Sequence, residues 1–133
     1  MRFLLSAALL LSVTIAAPAQ ESEDDDYQTY VTALFREPER AKADFDQMAT
    51  ANPALAAYYL GVRVEDRCKL KTPPRRLYEA GGGKAATRTL EGRKLFAVAS
   101  TLASLKYATG EEETAFCDRV RKLVADASAK PAP

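Results

Sequence analysis

The chain has 133 residues, 47% hydrophobic and 28% charged, with a formal net charge of +1 and neither histidine nor tryptophan. Without histidine, Ser-His-Asp and Cys-His catalysis, HExxH metal centres and imidazole-based pH sensing are all excluded within this chain. The near-neutral charge supplies no global field to recruit nucleic acid or a membrane surface.

Met1 and Arg2 precede an apolar run from Phe3 to Leu11 that continues through Ser12 to Ala17, and Ala17-Pro18-Ala19 forms a small-x-small site before Gln20. A charged start, an apolar stretch of about 7 to 15 residues and a small-residue cleavage site are the anatomy of a secretory signal peptide. Residues 1–19 are therefore expected to direct export, to the periplasm or the medium, and to be removed. The run is short of the roughly 20 apolar residues that a spanning helix needs, and Ser6, Ser12 and Thr14 interrupt it. No second apolar run follows, so no stable membrane span is expected after cleavage. The 25 alanines, and the excess of 11 Arg over 8 Lys, fit a bacterial source. Cleavage would leave residues 20–133, the size of a single domain.

An acidic segment spans residues 20–26, with Glu21, Glu23, Asp24, Asp25 and Asp26. The helical domain is then expected over residues 27–128, beginning with Tyr27, Tyr30, Val31, Leu34 and Phe35 at the i, i+3, i+4, i+7, i+8 spacing of an amphipathic helix. Acids preceding that helix suit its N-terminal dipole. Pro38 opens a second, short helix with Ala41, Phe45, Met48 and Ala49 on one face. Asn52-Pro53 reads as N-cap and N1, launching a third helix from Ala54 to about Leu70 whose first half is apolar over a wide arc. Lys71-Thr72-Pro73-Pro74 ends it, one turn is expected between Pro74 and Glu79, and Gly81-Gly82-Gly83 marks the main loop. A fourth helix is expected from about Ala85 to Tyr107, with Leu95, Val98, Leu102 and Leu105 as its stripe. Thr109-Gly110-Glu111-Glu112 is a capping-box pattern that starts a fifth helix bearing Phe116, Val120, Leu123, Val124 and Ala127. Residues 129–133 are expected to form a mobile tail. No period-2 alternation is present, so the fold class is all-α, a small four- to five-helix bundle.

Cys68 and Cys117 are the only cysteines, and an oxidising compartment would pair them. The long intervening stretch is unlike the CxxC spacing of a redox site, which leaves a structural staple between the third and fifth helices. Two thiols cannot complete a zinc site, and the acidic segment lacks the glycine and ordered spacing of a calcium loop. Gly81-Gly82-Gly83-Lys84 lacks both the preceding strand and the Ser or Thr of a phosphate loop. No metal, no cofactor and no catalytic residue is expected, and the chain reads as a non-enzymatic protein.

Charge is segregated along the chain, with nine acids against three bases in residues 20–60 and ten bases against four acids in residues 61–94. The basic stretch contains Arg63, Arg67, Lys69, Lys71, Arg75, Arg76, Lys84 and Arg88. It either offsets the acidic N-terminal third or binds an acidic protein or an anionic envelope polymer. With only Tyr78 nearby to stack on bases, the segment argues against nucleic acid. The alternative is a small-molecule or lipid carrier with a pocket between the third and fourth helices, lined by Tyr58, Tyr59, Leu60 and Phe96. Small exported helical proteins with one disulfide also include periplasmic chaperones and immunity proteins, an analogy of architecture alone.

Overall fold

The computed structural model describes residues 18–130, so most of the expected signal peptide and the last three residues of the expected tail lie outside the described residues. Eight α-helices and one 3₁₀ turn, with no strand among the described residues, make the all-α fold that the periodicity predicts. Helix α1 spans Pro18–Arg36 and takes residues 20–26 into its opening turns. The 3₁₀ turn Pro38–Arg40 leads into α2, Ala41–Ala51. Asn52 then joins α2 directly to α3, Pro53–Arg63. Its side-chain oxygen accepts the Leu55 N–H at 3.2 Å while its amide donates to the Gly81 carbonyl at 2.9 Å. The cap expected from Asn52-Pro53 thus also ties the main loop to the start of α3.

Two of the expected helices are divided. The stretch from Ala54 to Leu70 turns at Val64, whose φ and ψ of −111° and 12° leave the helix, and resumes as α4, Glu65–Cys68. Val62 and Val64 flank Arg63 there, and such β-branched residues hold a helix less well than their neighbours. The chain stops at Lys69, which adopts a left-handed φ of 51° of the kind usually given to glycine. Arg121 donates to the Cys68 carbonyl at 2.6 Å, satisfying one of the carbonyls that the end of α4 leaves open. After α5, Arg75–Ala80, the stretch expected as one helix from Ala85 is also two: α6, Gly83–Thr87, and α7, Leu90–Ser104. Thr89 is the cause, its hydroxyl capping α7 by accepting the Gly92 N–H at 3.0 Å. A Cβ on Gly92 would stand 1.9 Å from the Ala86 carbonyl oxygen, so only glycine lets α6 cross the start of α7 this closely. Helix α8, Gly110–Ala129, begins at the expected Thr109 cap, with Glu112 reaching back to the Ala108 N–H at 3.1 Å.

Helix α3 is the axis of the bundle, in contact with α2, α5, α7 and α8. It buries Leu55, Ala56, Ala57, Tyr59, Leu60 and Gly61. Helix α1 covers the far side of α7, held by an Arg93–Asp24 ion pair at 2.7 Å and by the Tyr30 hydroxyl donating to Asp44 at 2.7 Å. Burial, and then that bond to Asp44, push the Tyr30 phenol well above its usual value.

Cys68 and Cys117 form the expected disulfide, with Cα atoms 5.3 Å apart and both residues buried. The closed loop is long, and the chain-entropy account gives up to about 4 kcal/mol of stabilisation. Reducing the oxidised chain should therefore shift its urea midpoint markedly downward, whereas a Cys68→Ala, Cys117→Ala variant should not respond to reductant. Identical midpoints for oxidised and reduced wild type would contradict this.

Candidate functional site

The residues of the basic segment fall into different roles. Arg67 is built into the protein: its Nε donates to Glu113 at 2.8 Å, a terminal nitrogen donates to the Ala103 carbonyl at 2.8 Å, and its guanidinium lies 5.2 Å from the Tyr107 ring centre and 5.5 Å from that of Phe116. Arg63 covers the Phe96 ring at 4.7 Å, and Arg76 donates to the Ser128 carbonyl near the end of α8. Arg75 stands 3.9 Å from Glu79 on the same short helix. Lys69, Lys71, Lys84 and Arg88 are exposed. These four are not brought to one place. Lys69 and Lys71 follow the end of α3, whereas Gly81, which precedes Lys84, packs against Leu55 at the start of α3. At 1.5 Å rise per residue the length of α3 sets these two ends about 15 Å apart.

The aromatic residues expected between α3 and α7 contact one another and Tyr78 of α5. Tyr59 meets Phe96 edge-on at 5.4 Å, and Tyr58 lies 5.3 Å from Tyr78. Burial pushes the Tyr59 phenol upward. Tyr59 is buried and Tyr58 part-buried, Phe96 stands 41% exposed beneath Arg63, and Leu60 also lines the groove on another side of α3.

That side holds a groove of about 440 Å³ between α2 and α8. Both helices pack on α3, but they do not pack closely on each other. The floor is apolar, made by the buried Phe45, Leu60, Leu102, Phe116 and Val120, with Ala49 and Leu123 on the walls. Tyr107 stands at one end, its ring 5.2 Å from Phe116 and beneath Lys42, whose ammonium is 5.4 Å from the ring centre. Burial raises the Tyr107 phenol, against the opposing pull of Lys42, Arg67 and Arg119. Thr50 and Asp126 line the other end. Across the middle, Arg119 of α8 reaches Asp46 of α2 at 3.2 Å, both side chains about two-thirds exposed. Along the same rim Lys42 pairs with Glu39 at 2.8 Å and Lys122 with Asp126 at 2.7 Å.

Two further concavities lie elsewhere on the surface. A cavity of about 410 Å³ lies between the α2–α3 junction, α5 and the end of α8, with Arg76 and Lys130 in its wall. A depression of about 180 Å³ sits over the disulfide, flanked by Arg67, Lys69 and Arg121. Among the described residues no cluster of three or more His, Cys, Asp or Glu side chains is arranged to hold a metal, and no helix is long and apolar enough to cross a membrane.

Sequence reasoning placed Phe45, Phe116, Val120 and Leu123 on apolar helix faces, and the first three are buried while Leu123 is partly buried, but it did not identify them as the lining of a groove. The periodicity gives the apolar stripe of each helix and carries no information on how far two such helices stand apart. Arg119, also missed, has no linear signal linking it to Asp46, 73 positions away. Comparison of the chain with protein-family models, with curated proteins and with solved structures finds no match.

The division of the basic residues into built-in and surface groups has a measurable consequence. Arg67→Ala removes a charge-assisted pair and leaves a part-buried carbonyl without its donor, and should cost about 2 kcal/mol in urea unfolding. Lys69→Ala and Lys71→Ala should stay within about 0.5 kcal/mol of wild type. Equal effects for all three would contradict the assignment.

Proposed function

We propose that this is an exported, non-enzymatic binding protein and that its principal binding surface is the groove between α2 and α8. The observation that carries this reading is the pairing of an apolar floor with a charged rim in a concavity of about 440 Å³, within the range of about 300 to 1,000 Å³ usual for small-ligand sites. A carrier is thus favoured, with its pocket one helix face away from where the aromatic residues suggested. Export is supported by the signal-like residues 1–19 and by a disulfide suited to an oxidising compartment. The groove is tested with the neutral dye N-phenyl-1-naphthylamine, whose fluorescence should rise on binding the oxidised wild type. Ala49→Trp, which fills the groove, should abolish the rise while helical circular dichroism is retained. Dye binding unaffected by a folded Ala49→Trp variant would reject the groove.

A second reading, an acidic protein or phosphate-bearing envelope polymer held by the basic segment, is favoured by the exposure of Lys69, Lys71, Lys84 and Arg88, none of which has an ion pair among the described residues. On this reading polyphosphate binds wild type at about 0.15 M salt, and reversing Lys69, Lys71 and Arg75 to Glu removes that binding without altering dye affinity. Failure of polyphosphate to bind wild type would dismiss it.

A further inference from the structure

We propose that the occupant of the α2–α8 groove is a single-chain amphiphile with an anionic headgroup, its alkyl chain lying beneath the Asp46–Arg119 pair and its head at the Tyr107 end. This rests on the groove being the binding site, and it adds the chemical class of the ligand.

Width selects the class. One Arg–Asp side-chain pair spans the rim at 3.2 Å, so α2 and α8 stand only two side chains apart at that level. An incoming α-helix, about 10–12 Å across with its side chains, is too broad to pass between them. An extended peptide is slender enough, but it brings backbone N–H and C=O groups that need partners. The middle turns of α2 and α8 use their own backbone groups internally, and the floor between them is hydrocarbon. An unbranched alkyl chain is slender and brings no such demand.

Length gives the size of the chain. The lining residues of α8 run from Phe116 to Asp126, about 15 Å at 1.5 Å rise per residue. An extended alkyl chain with bonds of about 1.5 Å advances about 1.25 Å per carbon, so the groove takes about twelve carbons.

Charge places the head. Around Tyr107 stand Lys42, Arg67 and Arg119. The acids at this end are Glu39, Glu112 and Glu113 together with Asp46 at mid-groove. Glu112 is engaged in capping α8 and Glu113 is held by Arg67. Among the described residues the ion-pair partners of Lys42 and Arg119 are Glu39 and Asp46, in pairs open to water. Exposed pairs of this kind contribute little, so a carboxylate or phosphate head can take over Lys42 at small cost and share Arg119, which stays paired with Asp46. The Tyr107 hydroxyl adds a donor at the same end.

The test uses dodecanoate, 1-dodecanol and a designed amphipathic helical peptide as competitors for the naphthylamine dye on the oxidised chain. Dodecanoate should displace the dye, and in wild type its amide shift changes should centre on Ala49, Val120 and Leu123. Lys42→Gln with Arg119→Gln should weaken dodecanoate by about tenfold and leave dodecanol nearly unchanged. Because Ala49→Trp alone could perturb folding, Leu123→Trp serves as an independent groove-filling variant. Dye bound in the groove but displaced by neither dodecyl compound, or displaced by the helical peptide alone, would overturn the ligand class while keeping the groove. Dodecanoate binding unaffected by both groove-filling variants would overturn the groove as well. Equal weakening of dodecanoate and dodecanol by the double Gln variant would overturn the placement of the head.

Discussion

The closeness with which other elements approach α3 is the constraint on which the bundle depends. Ala56 and Ala57 are fully buried, and a Cβ on Gly61 would stand 2.5 Å from the Pro73 ring and 3.1 Å from Val124. Small residues on this helix let the 69–74 segment and α8 come to near backbone contact on one side while α7 packs on another. Interiors packed at crystal-like density feel the addition of even one methylene, so these positions fix the arrangement as much as the larger apolar residues do. The main loop obeys the same rule at the other end of α3, where Gly81 rests on Leu55 and is bound there by Asn52.

From that constraint the groove follows. Helix α2 is joined to α3 through Asn52 alone and must lie against α3 and α7. Helix α8 reaches α3 from its Gly61 side and is fixed there by the disulfide. Each wall is positioned by α3, neither by the other, and their apolar stripes meet over a floor from α3 and α7 without closing. Exposed apolar surface in a small domain is ordinary when scattered. Phe35, Val62 and Phe96 are exposed singly in this way, outside the groove, whereas the groove sets the part-buried Ala49, Tyr107 and Leu123 over a buried apolar floor and under a charged rim, which is the pattern of an interaction site.

The sequence made the architecture legible where local chemistry decides it. Asn52-Pro53 and the Thr109 box mark helix starts that the structure uses, and the spacing of Phe116, Val120 and Ala127 defines the buried face of α8. It was less informative where tertiary contact overrides the pattern. The left-handed turn at Lys69 carries no glycine to announce it, and Thr89 was hidden inside a run of good helix formers although Thr-x-x-Gly supplied a cap. Basic residues adjacent in sequence suggested one surface, yet Arg67 is consumed by Glu113, Ala103, Tyr107 and Phe116 while Lys84 and Arg88 lie at the far end of α3. Charge along a chain predicts net composition and not the partners a fold will provide.

The two walls of the groove are secured by different means, and this bears on how it can admit a ligand. Helix α8 is stapled through Cys117 and buries Phe116, Val120 and Ala127 along its length. Helix α2 buries only Ala41 and Phe45, both in its first half, and is otherwise steadied by the Tyr30–Asp44–Arg40 group and the exposed clasp from Asp46 to Arg119. An element with fewer buried apolar contacts opens at lower free-energy cost. Any change in groove width therefore falls to α2 rather than to α8. On the proposed reading the charged head stands at the Tyr107 end and the hydrocarbon runs from it toward Thr50 and Asp126, so the two parts of the ligand occupy opposite ends of the same groove.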